Sequence, residues 1–144
     1  PWLETHLAEW YPELEEGWTI MREEIAAIRK LCAQKDMGFL AFDVPAGYAV
    51  YDKEWRFFVS HRDLSIYDRT KGERLILAYF RESETPHVEI FGPFLRYPDR
   101  GSLYFDADPH LTRKGNRVLA ELLFDHLVSG PLSDYDLARP VATR

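Results

Sequence analysis

Residues 38–45, Gly-Phe-Leu-Ala-Phe-Asp-Val-Pro, constrain the fold more than any other stretch of the chain. The run is apolar at consecutive positions and not at alternate ones. A strand built from it buries both faces, which is the mark of a parallel sheet covered by helices. The residues before it agree. Met21, Ile25, Ile28 and Cys32 recur at intervals of 4, 3 and 4, while Arg22, Glu23, Glu24, Arg29 and Lys30 fill the other faces. That period predicts an amphipathic helix over 18–34, closed by Asp36-Met37-Gly38.

The same grammar repeats downstream. Leu75, Ile76, Tyr79 and Phe80 make the inward stripe of a helix over 70–81, Ser83-Glu84-Thr85-Pro86 breaks it, and residues 87–91 read as a second short strand. A loop of nearly twenty residues, rich in Gly, Pro and Arg, follows; loops of that length inside compact domains are usually functional. The last helix spans 113–128, with Val118, Leu119, Leu122, Leu123 and Leu127 facing inward, and Gly130-Pro131 opens a polar tail over 130–144. Elsewhere the pattern is weaker. Pro12 splits the aromatic segment 2–16 into two short turns. Residues 46–69 supply bulk without a period, and Tyr48, Tyr51 and Trp55 are the candidate aromatic platform for a substrate.

Helix, strand, helix, strand, helix predicts an α/β layer structure with parallel strands. Two strands cannot cover both sheet faces stably. Residues 1–144 therefore read as a single partial α/β domain, short of further strands of the same sheet.

Composition narrows the function classes. A net charge of −6 argues against nucleic acid as a partner, which needs a basic face. No apolar run approaches the roughly 20 residues that span a bilayer, so no membrane-spanning segment is expected, and no charged-then-apolar leader opens the chain. Cys32 is the only cysteine, which excludes an internal disulfide and paired-cysteine metal motifs; between Leu31 and the Ile28 side of its helix it is expected to be a buried structural thiol.

The chemistry concentrates in Leu103-Tyr104-Phe105-Asp106-Ala107-Asp108-Pro109-His110-Leu111-Thr112, followed by Arg113-Lys114-Gly115-Asn116-Arg117-Val118-Leu119-Ala120. An imidazole suits proton transfer near neutral pH, and a carboxylate close by can fix its tautomer and stabilise the cation that forms. Thr112 is placed to cap the final helix and so to fix where the loop delivers His110. Gly115 inside the first turn costs roughly 1 kcal/mol against Ala, a cost that a close backbone or substrate approach would explain. By spacing alone, the same residues also fit a solvated turn ahead of a helix.

As a block, this segment resembles the last catalytic motif of the SGNH (GDSL-type) hydrolases and acyltransferases. The resemblance implies the C-terminal part of a three-layer α/β/α flavodoxin-like fold with parallel strands, whose Asp and His complete a Ser-His-Asp triad. It implies His110 as general base and acid. Asp108, two residues before it, matches the Asp-x-His spacing of SGNH-like sugar O-acetylating proteins such as those acting on alginate, and Asp106, four before it, is the reserve acid. The more familiar spacing of three falls on Ala107. The substrate implied is a small-molecule or carbohydrate ester, and no cofactor is implied. The family's nucleophile lies in a Gly-Asp-Ser segment after the first strand. No such segment occurs here, and none of Ser60, Ser65, Ser83, Ser102, Ser129 and Ser133 sits in a Gly-rich strand-to-helix turn. The missing N-terminal segment of the same domain is thus an implied partner. A non-catalytic SGNH-like module that binds a glycan or a protein is the alternative from another class.

Two further readings compete for the same residues. A strand followed by Asp106-Ala107-Asp108 resembles the first motif of haloacid dehalogenase-like phosphatases, although that motif continues Gly-Thr where this chain has Pro109-His110. Asp106, Asp108 and His110 on alternate residues could also ligate Zn²⁺ or Mn²⁺ if the chain stayed extended, which Pro109 and the coming helix oppose.

Overall fold

The computed structural model describes residues 4–129. They form a mixed α/β unit that is mostly helical, with only two short strands. The polar tail 130–144 lies outside the described residues. Helix α1 is Pro12–Gln34, β1 is Ala41–Phe42, α2 is Gly47–Val50, α3 is Asp52–Phe58, α4 is Lys71–Glu82, β2 is His87–Val88, α5 is Phe91–Arg96 and α6 is Arg113–Ser129. The strands pair in parallel, Ala41 opposite His87 and Phe42 opposite Val88.

Both helices that feed a strand end in the same way. Asp36 after α1 and Glu84 after α4 take left-handed backbone, at φ 53° and 51°. The next amide reaches back to the last turn: Met37 N–H to Cys32 O at 2.9 Å and Thr85 N–H to Phe80 O at 2.8 Å. Neither turn uses a glycine, the usual residue there. These reversals send the chain directly into β1 and β2.

The core gathers beneath β2. Val50, Val88, Ile90, Phe94, Leu103 and Tyr104 are buried together, and Val118, Leu119, Leu122 and Leu123 of α6 pack against them. Four of the five residues expected in the α6 stripe pack against this core; Leu127, near the helix end, is not among them. Other expectations need correction. Pro12 does divide the N-terminal segment, but into a 3-10 turn over Glu4–His6 and a long helix instead of two short turns; it opens α1 at a first-turn position, where its missing N–H costs nothing. Residues 46–69 contain two short helices, and α5 with a 3-10 turn over Arg100–Leu103 occupies about half of the supposed long loop. Pro93 in the first turn of α5 again needs no hydrogen bond.

The largest departure concerns α1, which buries no residue. Met21 and Ile28 of its predicted stripe are exposed, and Cys32 is half-buried instead of enclosed. The helix is held by polar straps: Tyr79 donates its hydroxyl to Arg22 O at 2.8 Å, and Arg29 donates to Ser83 O at 2.6 Å and Thr85 Oγ1 at 3.0 Å. No helix among the described residues is long and apolar enough to cross a membrane.

Candidate active site

The loop that carries Asp106, Asp108 and His110 is closed at its neck by backbone. Tyr104 and Leu111 form an antiparallel bridge. Phe105 N–H donates to His110 O at 3.2 Å, and Thr112 N–H donates to Leu103 O at 2.8 Å. The stretch before Asp106 is thus one arm of a tight loop, not a strand of the sheet, which removes the strand that the phosphatase motif requires. Within the loop, Ala107 takes φ 56° and Asp108 N–H turns back to Phe105 O at 3.3 Å.

Thr112 anchors the downstream side. Its hydroxyl donates to Ser102 O at 2.7 Å and accepts the Gly115 amide at 3.2 Å, so it caps α6 as the sequence suggested. Gly115 is explained by backbone and not by substrate: a Cβ there would lie 2.2 Å from Leu103 O.

Asp108 and His110 come together. One carboxylate oxygen, Oδ1, lies 2.8 Å from the His110 amide nitrogen and 2.5 Å from ring Nδ1. The His110 amide, and then the ring, hold the Asp108 carboxyl below its usual range. An ionised carboxylate can only accept, so the proton of the neutral imidazole belongs on Nδ1 and Nε2 is left with its lone pair. Asp106 takes no part. It is an exposed partner of Lys53 at 3.0 Å, and the reserve assignment gives way to Asp108. The same divergence disperses the proposed metal ligands, and no group of three His, Cys, Asp or Glu side chains with metal spacing occurs among the described residues.

His110 and Leu111 border a groove of about 490 Å³ whose opposite wall is Val44, Pro45 and Ala46, with Leu119 beneath. That wall is the exit from β1, held by the Tyr104 hydroxyl donating to Pro45 O at 2.7 Å. The pair itself stands open, with the His110 side chain 77% exposed and that of Asp108 47% exposed. The groove wall carried no signal in the sequence beyond its place at the C-terminal end of a strand, which is where ligands of open α/β sheets bind.

The remaining candidates are occupied elsewhere. Tyr48 is buried edge-on to His6 and Phe58, Trp55 lies against His6 and Tyr67, and Tyr51 faces Gly101, so the expected stacking platform is packing. Burial holds the His6 pKa down. Among the described residues no serine hydroxyl bonds to a histidine: Ser60, Ser83 and Ser102 donate to backbone carbonyls and Ser65 to Asp63. Ser133 lies outside the described residues. Set against known protein families, curated proteins and solved structures, the chain finds no match in any of the three.

Proposed function

We propose that this chain supplies the acid–base half of an SGNH-type serine esterase or O-acyltransferase acting on carboxylic esters, sugar acetates among them. The observation that carries the reading is the 2.5 Å contact between Asp108 Oδ1 and His110 Nδ1 at the rim of a groove. In this role His110 Nε2 takes the proton of a serine hydroxyl as its oxygen attacks the ester carbonyl, then returns it to the departing alcohol. Asp108 keeps the ring in the tautomer that leaves Nε2 bare and stabilises the imidazolium. The hydroxyl and the oxyanion donors come from a further segment of the same domain. Alone, the chain is expected to be close to inert.

The open side of the fold supports that second segment. β1 has one neighbour in the sheet, and its Phe42 and the following Val44 are 43% and 48% exposed. Ile20, Met21, Ile28 and Leu31 of α1 are exposed as well. An apolar surface of this kind belongs to an interface, and further parallel strands beside β1 would cover it. A non-catalytic binding module is favoured by one fact, the lack of a serine partner for His110 among the described residues. Under that reading, affinity depends on exposed aromatics such as Phe105 and Phe124 and is indifferent to His110.

The test is a polypeptide that joins the upstream segment of the reading frame to this one. His110→Ala should lower ester turnover by roughly four to six orders of magnitude with circular dichroism unchanged. Unaltered turnover in that variant removes the catalytic reading.

A further inference from the structure

Helix α3 sends two side chains to the Asp106–His110 loop, and they differ in kind. Lys53 pairs with Asp106 at the surface, both side chains well exposed. Glu54 is 3% exposed, and its Oε1 accepts the Ala107 amide at 3.2 Å while Oε2 is enclosed without a partner. Burying a carboxyl group that makes one hydrogen bond is costly, so the bond it does make calls for a reason. Ala107 provides one. Its φ of 56° lies in the left-handed region, which a residue with a Cβ avoids and glycine normally fills. The turn at Ala107 is also what returns the Asp108 amide to Phe105 O and brings Asp108 Oδ1 onto the amide and the ring Nδ1 of His110.

We propose that Glu54 is the positioning residue of the Asp108–His110 pair: by gripping the Ala107 amide it holds the left-handed turn that aims Asp108 at His110 Nδ1. The role rests on reading that pair as the acid–base half of the site. Glu54 touches neither substrate nor His110; it acts through the backbone of Ala107. Any side chain that keeps an acceptor at Oε1 serves, so Gln substitutes where Leu does not.

The readout is the tautomer of His110, taken from imidazole ¹⁵N shifts of the whole chain at a pH where its histidines are neutral, with His110→Asn to assign the signals. In the wild-type chain the Nδ1–H form should dominate. Glu54→Leu should shift the tautomer ratio toward Nε2–H by roughly tenfold, the weight of one hydrogen bond to a charged acceptor. Glu54→Gln should keep the wild-type ratio. A folded Glu54→Leu chain with an unchanged ratio overturns the proposal. Should Glu54→Leu not fold, amide exchange in the wild-type chain decides: the Ala107 N–H should be protected at least about tenfold over an unstructured amide, and exchange at the unstructured rate overturns the role. Asp108→Asn separates this proposal from the reading beneath it. If Asp108→Asn shifts the ratio and Glu54→Leu does not, the positioning role alone falls. If the wild-type ring shows no Nδ1–H preference, the pair falls and the role with it.

Discussion

The two sides of β1 and β2 are finished to different degrees. On the α6 side, Ile90, Phe94 and Leu103 are fully buried, and every turn between 103 and 116 is tied by backbone hydrogen bonds. On the α1 side, a 23-residue helix fully buries nothing, and its Ile20, Met21, Ile28 and Leu31 are exposed. A helix is normally stabilised by packing an apolar face more than by its own propensity. The contrast is one of packing: the side that holds Asp108 and His110 is tied through a buried core, while α1 is held by polar straps to Tyr79, Ser83 and Thr85 and by the edge contact of Trp18 with Tyr79.

Truncation should expose that asymmetry most strongly. Phe94→Ala empties a fully buried site and should cost about 3–5 kcal/mol of unfolding free energy. Leu31→Ala, at a residue 54% exposed, should cost less than about 0.5 kcal/mol. Urea midpoints for the two variants test the comparison directly. Equal losses would mean that α1 is packed in solution and that the open side is not open.

A pH scan sharpens it next. Glu73 of α4 is enclosed with Oε2 unpartnered, and both carboxylate oxygens of the neighbouring Asp43 are enclosed and unpartnered too. Burial, reinforced by the charge of Asp43, raises the Glu73 pKa to about 7. The group's folded pKa thus lies above its unfolded value near 4.5. Protonated Glu73 is tolerated below the unfolded value, and stability falls as pH rises through the window up to about 7, by on the order of 3 kcal/mol in all. Glu73→Gln should flatten that slope and leave the variant the more stable protein at pH 8, with little difference at pH 4. A wild-type denaturation midpoint that does not move across this window would show that Glu73 is hydrated, as it would be if the open side admitted water to it.

What the sequence revealed, and what it hid, follows the range of the interactions. The 70–81 and 113–128 helices were legible because a stripe at helical spacing needs only its own neighbours to declare it, and the pairing of Asp108 with His110 was legible because a single residue, Pro109, separates them. The face that α1 turns inward was not. Leu14, Trp18, Arg22, Ile25, Arg29 and Cys32 form it, two of them arginines that bond backbone or stack instead of burying carbon, so hydropathy found Ile25 and Cys32 but turned the stripe toward the exposed Met21 and Ile28. Glu54 was hidden for a related reason. It meets Ala107 across 53 residues of sequence, on a helix of seven residues with no period to read. The wall formed by Val44, Pro45 and Ala46 was likewise beyond local reading, because it reaches His110 only after β1 and β2 have paired.

The smallest effects separate two glycines that the sequence treats alike, each inside a helix where Ala is intrinsically better by up to about 1 kcal/mol. At Gly17, on the open side, a Cβ would meet nothing within 4 Å, so Gly17→Ala should stabilise the chain by about 0.5–1 kcal/mol. At Gly115, on the finished side, the same atom would lie 2.2 Å from Leu103 O, and a carbonyl fixed by the Thr112 amide cannot swing aside as a flexible side chain could. Gly115→Ala should therefore destabilise by about 1–3 kcal/mol through overpacking, reversing the helix preference. The displacement also has a destination. Leu103 and Thr112 form the neck of the loop, so the variant should shift the amide resonances of Asp108 and His110, while Gly17→Ala leaves them in place. Opposite signs for the two substitutions would confirm that the closeness of α6 to the loop, and not the helix alone, sets the position of Asp108 and His110. A stabilising Gly115→Ala would mean that the neck is slack and that Asp108 and His110 are held by their own contact alone.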